Sequence, residues 1–156
     1  MPPVTFQTLP PAAPGHAHPP LQIGADQWVL EVPAHTTGLQ LSVMRWQGCA
    51  PGGPPMHLHP EQDELFLVDD GEYRFQCEER QFLLRAGDSL FLPRGLPHTF
   101  RQISPSGRLR FLYTPAGQME DFFAALARLD GPPSPETAHT LFAAHGMRVV
   151  GPPLAA

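Results

Sequence analysis

The 156-residue chain contains no lysine and no asparagine, and all ten of its basic residues are arginine. Without lysine there is no Schiff-base or lysine general-base mechanism. Both missing residues have A-rich codons, so their absence reads as high-GC drift of a bacterial genome and not as chemistry. Cysteine is scarce too. Cys49 and Cys77 form no CxxC pair and say little about compartment. Cys77 sits in the alternating run Tyr73–Cys77 and reads as a buried structural thiol. No stretch approaches the ~20 consecutive apolar residues of a membrane span. The N-terminus has neither a basic start nor an apolar h-region, so no signal peptide is expected and a cytoplasmic protein is. The net charge of −5 argues against a nucleic-acid footprint.

What is present is 42% hydrophobic residues, including ten Phe, in a chain of one domain's length. Residues 1–20 hold seven prolines mixed with Ala and Gly and read as an extended arm. The arm carries His16-Ala17-His18, which lacks the fixed geometry and further ligands that a tight metal site needs. From Gln27 the pattern becomes one of strands. Trp28–Val32 and Leu39–Trp46 come first, followed by the Gly/Pro stretch 50–55 and Met56–His59. Then come Glu64–Val68, Tyr73–Cys77, Gln81–Arg85, Ser89–Leu92, His98–Ile103 and Arg108–Thr114, divided by turn signals at Asp69-Asp70-Gly71, Ala86-Gly87-Asp88, Pro93–Pro97 and Ser104–Gly107. Many short strands with such turns predict an all-β sandwich or barrel over residues 21–114.

After Thr114-Pro115 the period lengthens. Met119, Phe122, Phe123, Leu126 and Leu129 recur at helical steps within Gln118–Leu129. A second helix is expected from Ser134 as N-cap and Pro135 at N1 to His145, ended by Gly146. Met147–Val150 is a short last run. Residues 115–156 are therefore expected to form a helical segment packed on the barrel. His139 and His145, six apart on the second helix, face different ways and read as surface or capping residues. His35, in a turn, reads the same.

The residues that carry chemistry lie in two stretches, Gly52–Gly71 and Gly87–Gln102. Read as strands, the first puts His57 and His59 on one face, because side chains two apart point the same way. Glu64 shares its face with Phe66 and Val68, and His98 opens the run after the turn Pro93–Pro97. A carboxylate and imidazoles among Leu, Phe and Val would be costly unpaired. A divalent cation would resolve all four polar groups at once.

At these residues the sequence resembles the cupin superfamily, whose motifs are G-x5-H-x-H-x3,4-E-x6-G and G-x5-P-x-G-x2-H-x3-N. His57-Leu58-His59, Glu64 and Gly71 match the first, and Gly87, Pro93-Arg94-Gly95 and His98 the second. Pro51 stands where the opening Gly would fall, and Gln102 where the closing Asn would. Pro54–His59 with Asp63–Phe66, and Tyr113–Gly117 leading into Phe122-Phe123, are similar to small single-domain cupins of the quercetin 2,3-dioxygenase group. The resemblance covers about residues 36–154. It implies a jelly-roll β-barrel with two C-terminal helices, a metal held by His57, His59, Glu64 and His98, and a homodimer.

Such an N3O ligand set leaves positions open on one divalent transition metal: Fe, Mn, Co, Ni, Cu or Zn, with identity not set by sequence. The expected function is a metal-dependent dioxygenase acting with O2 on an enolic or phenolic small molecule, with Glu64 as catalytic base. Met44, Trp46, Met56, Phe66, Phe75, Phe91, Phe100 and Phe111 are the expected pocket lining, suited to a flat apolar substrate. Alternatives are a cupin isomerase or decarboxylase, and a non-catalytic metal-containing binding or sensor domain. An isomerase for sugar phosphates would need basic residues at the pocket, and strand parity turns Arg74 and Arg101 away from it.

Overall fold

The computed structural model describes residues 19–156. His16-Ala17-His18 and the rest of the Pro-rich arm before Pro19 lie outside the described residues. Among the described residues, eleven strands form two antiparallel sheets that close face to face as a jelly roll. They are β1 (Leu21–Ile23), β2 (Asp26–Val32), β3 (Ser42–Gly48), β4 (Pro55–Leu58), β5 (Asp63–Asp70), β6 (Glu72–Cys77), β7 (Arg80–Arg85), β8 (Ser89–Leu92), β9 (His98–Gln102), β10 (Gly107–Thr114) and β11 (Arg148–Pro153). One sheet has the order β1-β2-β3-β10-β5-β8, the other β11-β4-β9-β6-β7. Two helices, α1 (Met119–Leu126) and α2 (Pro135–Ala144), separate β10 from β11. Neither helix is long and apolar enough to cross a membrane.

Alternation builds the interior. On β5, Glu64, Phe66 and Val68 are buried while their neighbours are only half-buried, and on β10 the inward set is Leu109, Phe111 and Tyr113. The rings from both sheets pack on one another. Phe66 lies 5.0 Å from Phe75 and 5.1 Å from Phe111 between centroids, and Phe100 lies 5.4 Å from Phe75 and 5.5 Å from Trp46. Most of these contacts are tilted or edge-on, the geometry that ring quadrupoles favour.

Several boundaries differ from the pattern-based reading, each for a local reason. The strand expected to start at Leu39 starts at Ser42, because Gly38 and Leu39 both take positive φ and Leu39 is exposed. Thr37 Oγ1 fixes that turn, donating to the Leu41 carbonyl at 2.7 Å and accepting from the Leu41 amide at 3.0 Å. The first helix ends at Leu126, three residues short of Leu129. Its Glu120 carboxylate accepts from the Ala34 amide at 2.6 Å and from the Ser42 hydroxyl at 2.8 Å, which bolts α1 to the barrel. The second helix has Ser134 accepting from the Thr137 amide, Pro135 at its first position and Gly146 at φ +80° just beyond its end. The short last run lengthens to Arg148–Pro153 and pairs with β4, so the chain after Thr114 adds an edge strand as well as two helices.

His35 and His139 are exposed, and His145 Nδ1 donates to the Leu141 carbonyl at 2.8 Å as a helix-end contact. Cys77 is half-buried and unpaired, and burial pushes its thiol up to about 11.

Candidate metal centre

Four polar side chains meet where the first sheet's β5 faces the second sheet's β4 and β9. His57 comes from β4 and His59 from the residue just past it, two positions apart and on one face. His57 and His98 are cross-strand partners on β4 and β9, and Glu64 lies opposite both Tyr113 and Leu92. His57 is 7% exposed, His59 2%, Glu64 3% and His98 2%, so none of them draws its partners from bulk water. One ligand atom from each lies within 4.8 Å of the other three, a cluster that could hold a metal ion.

The sequence fixes these side chains through their neighbours. The turn carrying Arg94 is clamped to the start of β5. The Arg94 amide and Nε both donate to Asp63 Oδ1 (2.8 and 3.1 Å), and Nη2 donates to Oδ2 (3.1 Å). That contact holds the Asp63 carboxyl below its usual range. In the same turn the Gly95 amide donates to the His59 carbonyl at 2.8 Å. The Thr99 hydroxyl donates to the Pro54 carbonyl at 2.7 Å, tying β9 to the approach of β4. At the position where the family's glycine is displaced, Gly53 is the residue that matters, because a Cβ there would collide with the Phe100 carbonyl.

The hydrogen bonds decide the tautomers. His57 Nδ1 lies 2.8 Å from the Pro55 carbonyl, and His98 Nδ1 lies 2.9 Å from the Leu96 carbonyl. A carbonyl only accepts, so each Nδ1 carries the proton and each Nε2 presents a lone pair. Yet His98 Nε2 stands 3.0 Å from Glu64 Oε2, and His59 Nε2 stands 3.2 Å from the same oxygen. None of these three atoms makes a well-formed hydrogen bond, and all are sealed from solvent. Lone pairs crowded at that distance repel unless a cation sits among them. The donor set therefore fits a divalent metal.

Burial sets the charge states. Desolvation is the largest influence on His57, and with His98 and His59 it holds the imidazole well below 6.5. Desolvation also pushes Glu64 upward, but His59 and then His98 overcome it and leave the carboxyl well below 4.5. A neutral imidazole and an ionised carboxylate are the forms that ligate metal.

The expected pocket residues divide into three groups. Met44, Trp46, Phe66, Phe75, Phe100 and Phe111 all point inward, but they pack against each other as core. Phe66 comes nearest the cluster, 6.2 Å from the His98 ring. Phe91 lines nothing: it is 58% exposed. It pairs with Leu65, whereas Leu92 pairs with Glu64 and takes the inward place. Met56 also turns away, since it alternates with His57, and its side chain lies half-buried against Gly151.

Two residues given no role by the sequence pattern adjoin the site. Tyr113 is 3% exposed, its ring lies 5.5 Å from His59, and burial followed by the Glu64 carboxylate raises its phenol well above 10. The alternation Leu109, Phe111, Tyr113 is the signal that points to it. Phe142, on α2, packs edge-on against His57 at 5.1 Å. Its spacing of four from Ala138 marks the buried stripe of that helix.

Residues 46–115, which hold all four cluster residues, match the Cupin domain family. The match covers just under half of the chain. An RmlC-like cupin from Shewanella frigidimarina NCIMB 400 shares the fold, with a TM-score of 0.59 at 22% identity over 74% of this chain and 97% of that one. In sequence, the chain is 32% identical to quercetin 2,3-dioxygenase of Bacillus subtilis (strain 168) over 72 residues, 46% of this chain and 21% of the relative. It is 41% identical to the uncharacterised protein YdbB of the same strain over 46 residues, 29% of this chain and 41% of that protein. The matched stretches span well under half of either relative's length.

Proposed function

We propose that this chain is a metal-dependent oxidoreductase, a dioxygenase acting on an enolic or phenolic small molecule. His57, His59, Glu64 and His98 would hold one divalent transition metal. The observation that carries the metal reading is the set of four sealed, unpartnered atoms on His59, Glu64 and His98. The local similarity to quercetin 2,3-dioxygenase supports the oxygenase part. When bound, the metal would supply Lewis acidity toward an enol oxygen and reactivity toward O2. The chain's own part is to hold and shield. Glu64, the one carboxylate in the cluster, is kept ionised and can accept the substrate's proton on a carboxylate oxygen that the metal does not engage. The His57 and His98 rings are aimed by their Nδ1–H bonds to backbone. Phe66 and Tyr113 keep the surroundings apolar and dry.

A second reading, a non-catalytic metal-containing binding or sensor domain, draws on the seal itself. The four residues are at most 7% exposed, and two surface hollows lie elsewhere, lined by Gln27, Val29, Arg45, Gln47 and Arg108, and by Glu78–Arg80. Oxygen uptake by protein loaded in turn with Fe, Mn, Co and Ni, offered flavonols and other enols, separates the two. Uptake that Glu64→Gln lowers at least ~100-fold with metal content retained supports the enzyme. No uptake across metals and enols refutes it.

A further inference from the structure

We propose that α2 is a hinged cover on the metal centre and that Phe142 decides what reaches it. The inference rests on the metal reading above. The most exposed of the four cluster residues is His57, and the ring seated on it is Phe142, edge-on at 5.1 Å. Phe142 in turn packs edge-on against Phe122 of α1 at 4.8 Å. Phe142 thus lies over His57, with Phe122 behind it.

The two helices are held very differently. α1 buries Met119, Phe122 and Phe123, and its Glu120 is bonded to Ala34 and Ser42. α2 buries only Ala138 and Phe142. Its side-chain hydrogen bonds are all local: Ser134 with Thr137, Thr140 to the Glu136 carbonyl, and His145 to the Leu141 carbonyl. Among the described residues, no side-chain hydrogen bond joins α2 to the barrel. Phe142 is the largest side chain holding the helix down, helped by Ala138 and the half-buried Leu141.

A glycine flanks α2 at each end. Gly131 at φ +141° precedes it through Pro132 and Pro133, and Gly146 at φ +80° follows it. Nothing lies within 4 Å of where a Cβ would stand on either glycine. A swing that breaks the bond from the Met147 amide to the Phe142 carbonyl (3.0 Å) would lift Phe142 off His57 while β11 stays paired with β4. Burial of one phenyl ring biases a two-position element toward closed by about 10- to 100-fold. That bias shuts the site at rest and yields to a ligand that replaces the ring's apolar contacts. Because the ring over His57 and the ring behind it are uncharged and aromatic, the favoured ligand is flat and apolar, with its single polar edge directed inward.

The test uses the full chain loaded with Co(II), with hydrogen exchange of the helices and Co(II) release to pyridine-2,6-dicarboxylate and to the bulkier EDTA as readouts. Amides of α2 should exchange about 10-fold or more faster than those of α1. Phe142→Ala should speed release about 10-fold or more and narrow the gap between small and bulky chelators. Phe142→Leu should give an intermediate rate, and His139→Ala, on the exposed side of the same helix, should change nothing. Exchange of α2 in step with the barrel strands, or release unaffected by Phe142→Ala, overturns the proposal. If Phe142→Ala does not fold, Phe142→Leu and the wild-type exchange decide. A wild-type chain that binds no Co(II) refutes the metal reading instead, and the exchange comparison still judges the hinge.

Discussion

Withdrawing metal from this protein should cost it measurable stability. Three sealed atoms, His59 Nε2, Glu64 Oε2 and His98 Nε2, have no hydrogen-bond partner. Each unsatisfied buried polar atom costs about 1–3 kcal/mol, so the empty cluster carries a burden of about 3–9 kcal/mol. A divalent ion relieves it, and mass action limits what is observed: at 1,000 times its dissociation constant, a ligand stabilises by about 4 kcal/mol. For a chain of this length, about 1 kcal/mol moves Tm by roughly 2–4 °C, so the expected rise is about 8–16 °C. The assay is thermal unfolding of protein stripped with EDTA, then supplied with Mn, Fe, Co, Ni, Cu or Zn ions. His98→Ala removes a ligand atom and should abolish most of the rise. Two results refute the reasoning: no ion moves Tm in the wild type, or the full rise survives in both His98→Ala and the His57→Ala/His59→Ala double variant.

The outward turn of Phe91 predicts that Phe91→Ser leaves stability within about 0.5 kcal/mol, whereas Phe100→Ala costs about 3–5 kcal/mol; urea unfolding of both checks it. Equal costs would show that the register of β8 against β5 is wrong. Stability of metal-free protein should also fall with acid. The unfolded chain takes up a proton at His57 near 6.5 while the folded one does not, so stability declines as pH drops below about 6.5. Glu64 adds the same sign below 4.5, where the unfolded carboxyl protonates and the folded one stays ionised. A flat denaturation midpoint from pH 7 to pH 5, tracked by circular dichroism, would contradict this.

The four cluster residues were legible because strand geometry turns sequence spacing into direction. His57 and His59 must share a face, Glu64 must share one with Phe66, and each polar group sits where an unpaired one is costly. The pocket was not legible, since parity fixes a face without telling whether space lies beyond it. Phe66, Phe75, Phe100 and Phe111 have the inward direction expected of them, and they fill the interior with one another. Phe91 and Met56 failed for a simpler reason. A run of apolar residues such as Leu90-Phe91-Leu92 offers either phase, and only pairing with β5 selects Leu92 for the inside. The tail escaped for lack of a local signal: that Arg148–Pro153 joins β4 depends on contacts about ninety residues away in sequence.

The two sequence stretches that supply ligands belong to different strands, and their meeting has its own physical cause. The turn between β8 and β9 touches both halves of the first stretch, through Arg94 on Asp63 and Gly95 on the His59 carbonyl. Those contacts fix the start of β5, where Glu64 sits, against the start of β9, where His98 sits. The same turn supplies the Leu96 carbonyl that sets the His98 tautomer. One five-residue turn, Pro93–Pro97, thus governs both the distance between Glu64 and His98 and the lone pair that His98 offers. Its prolines leave little freedom to do otherwise, and Gly95 supplies the φ of +80° that the turn needs. The geometry of the centre is set by this turn as much as by the four side chains themselves.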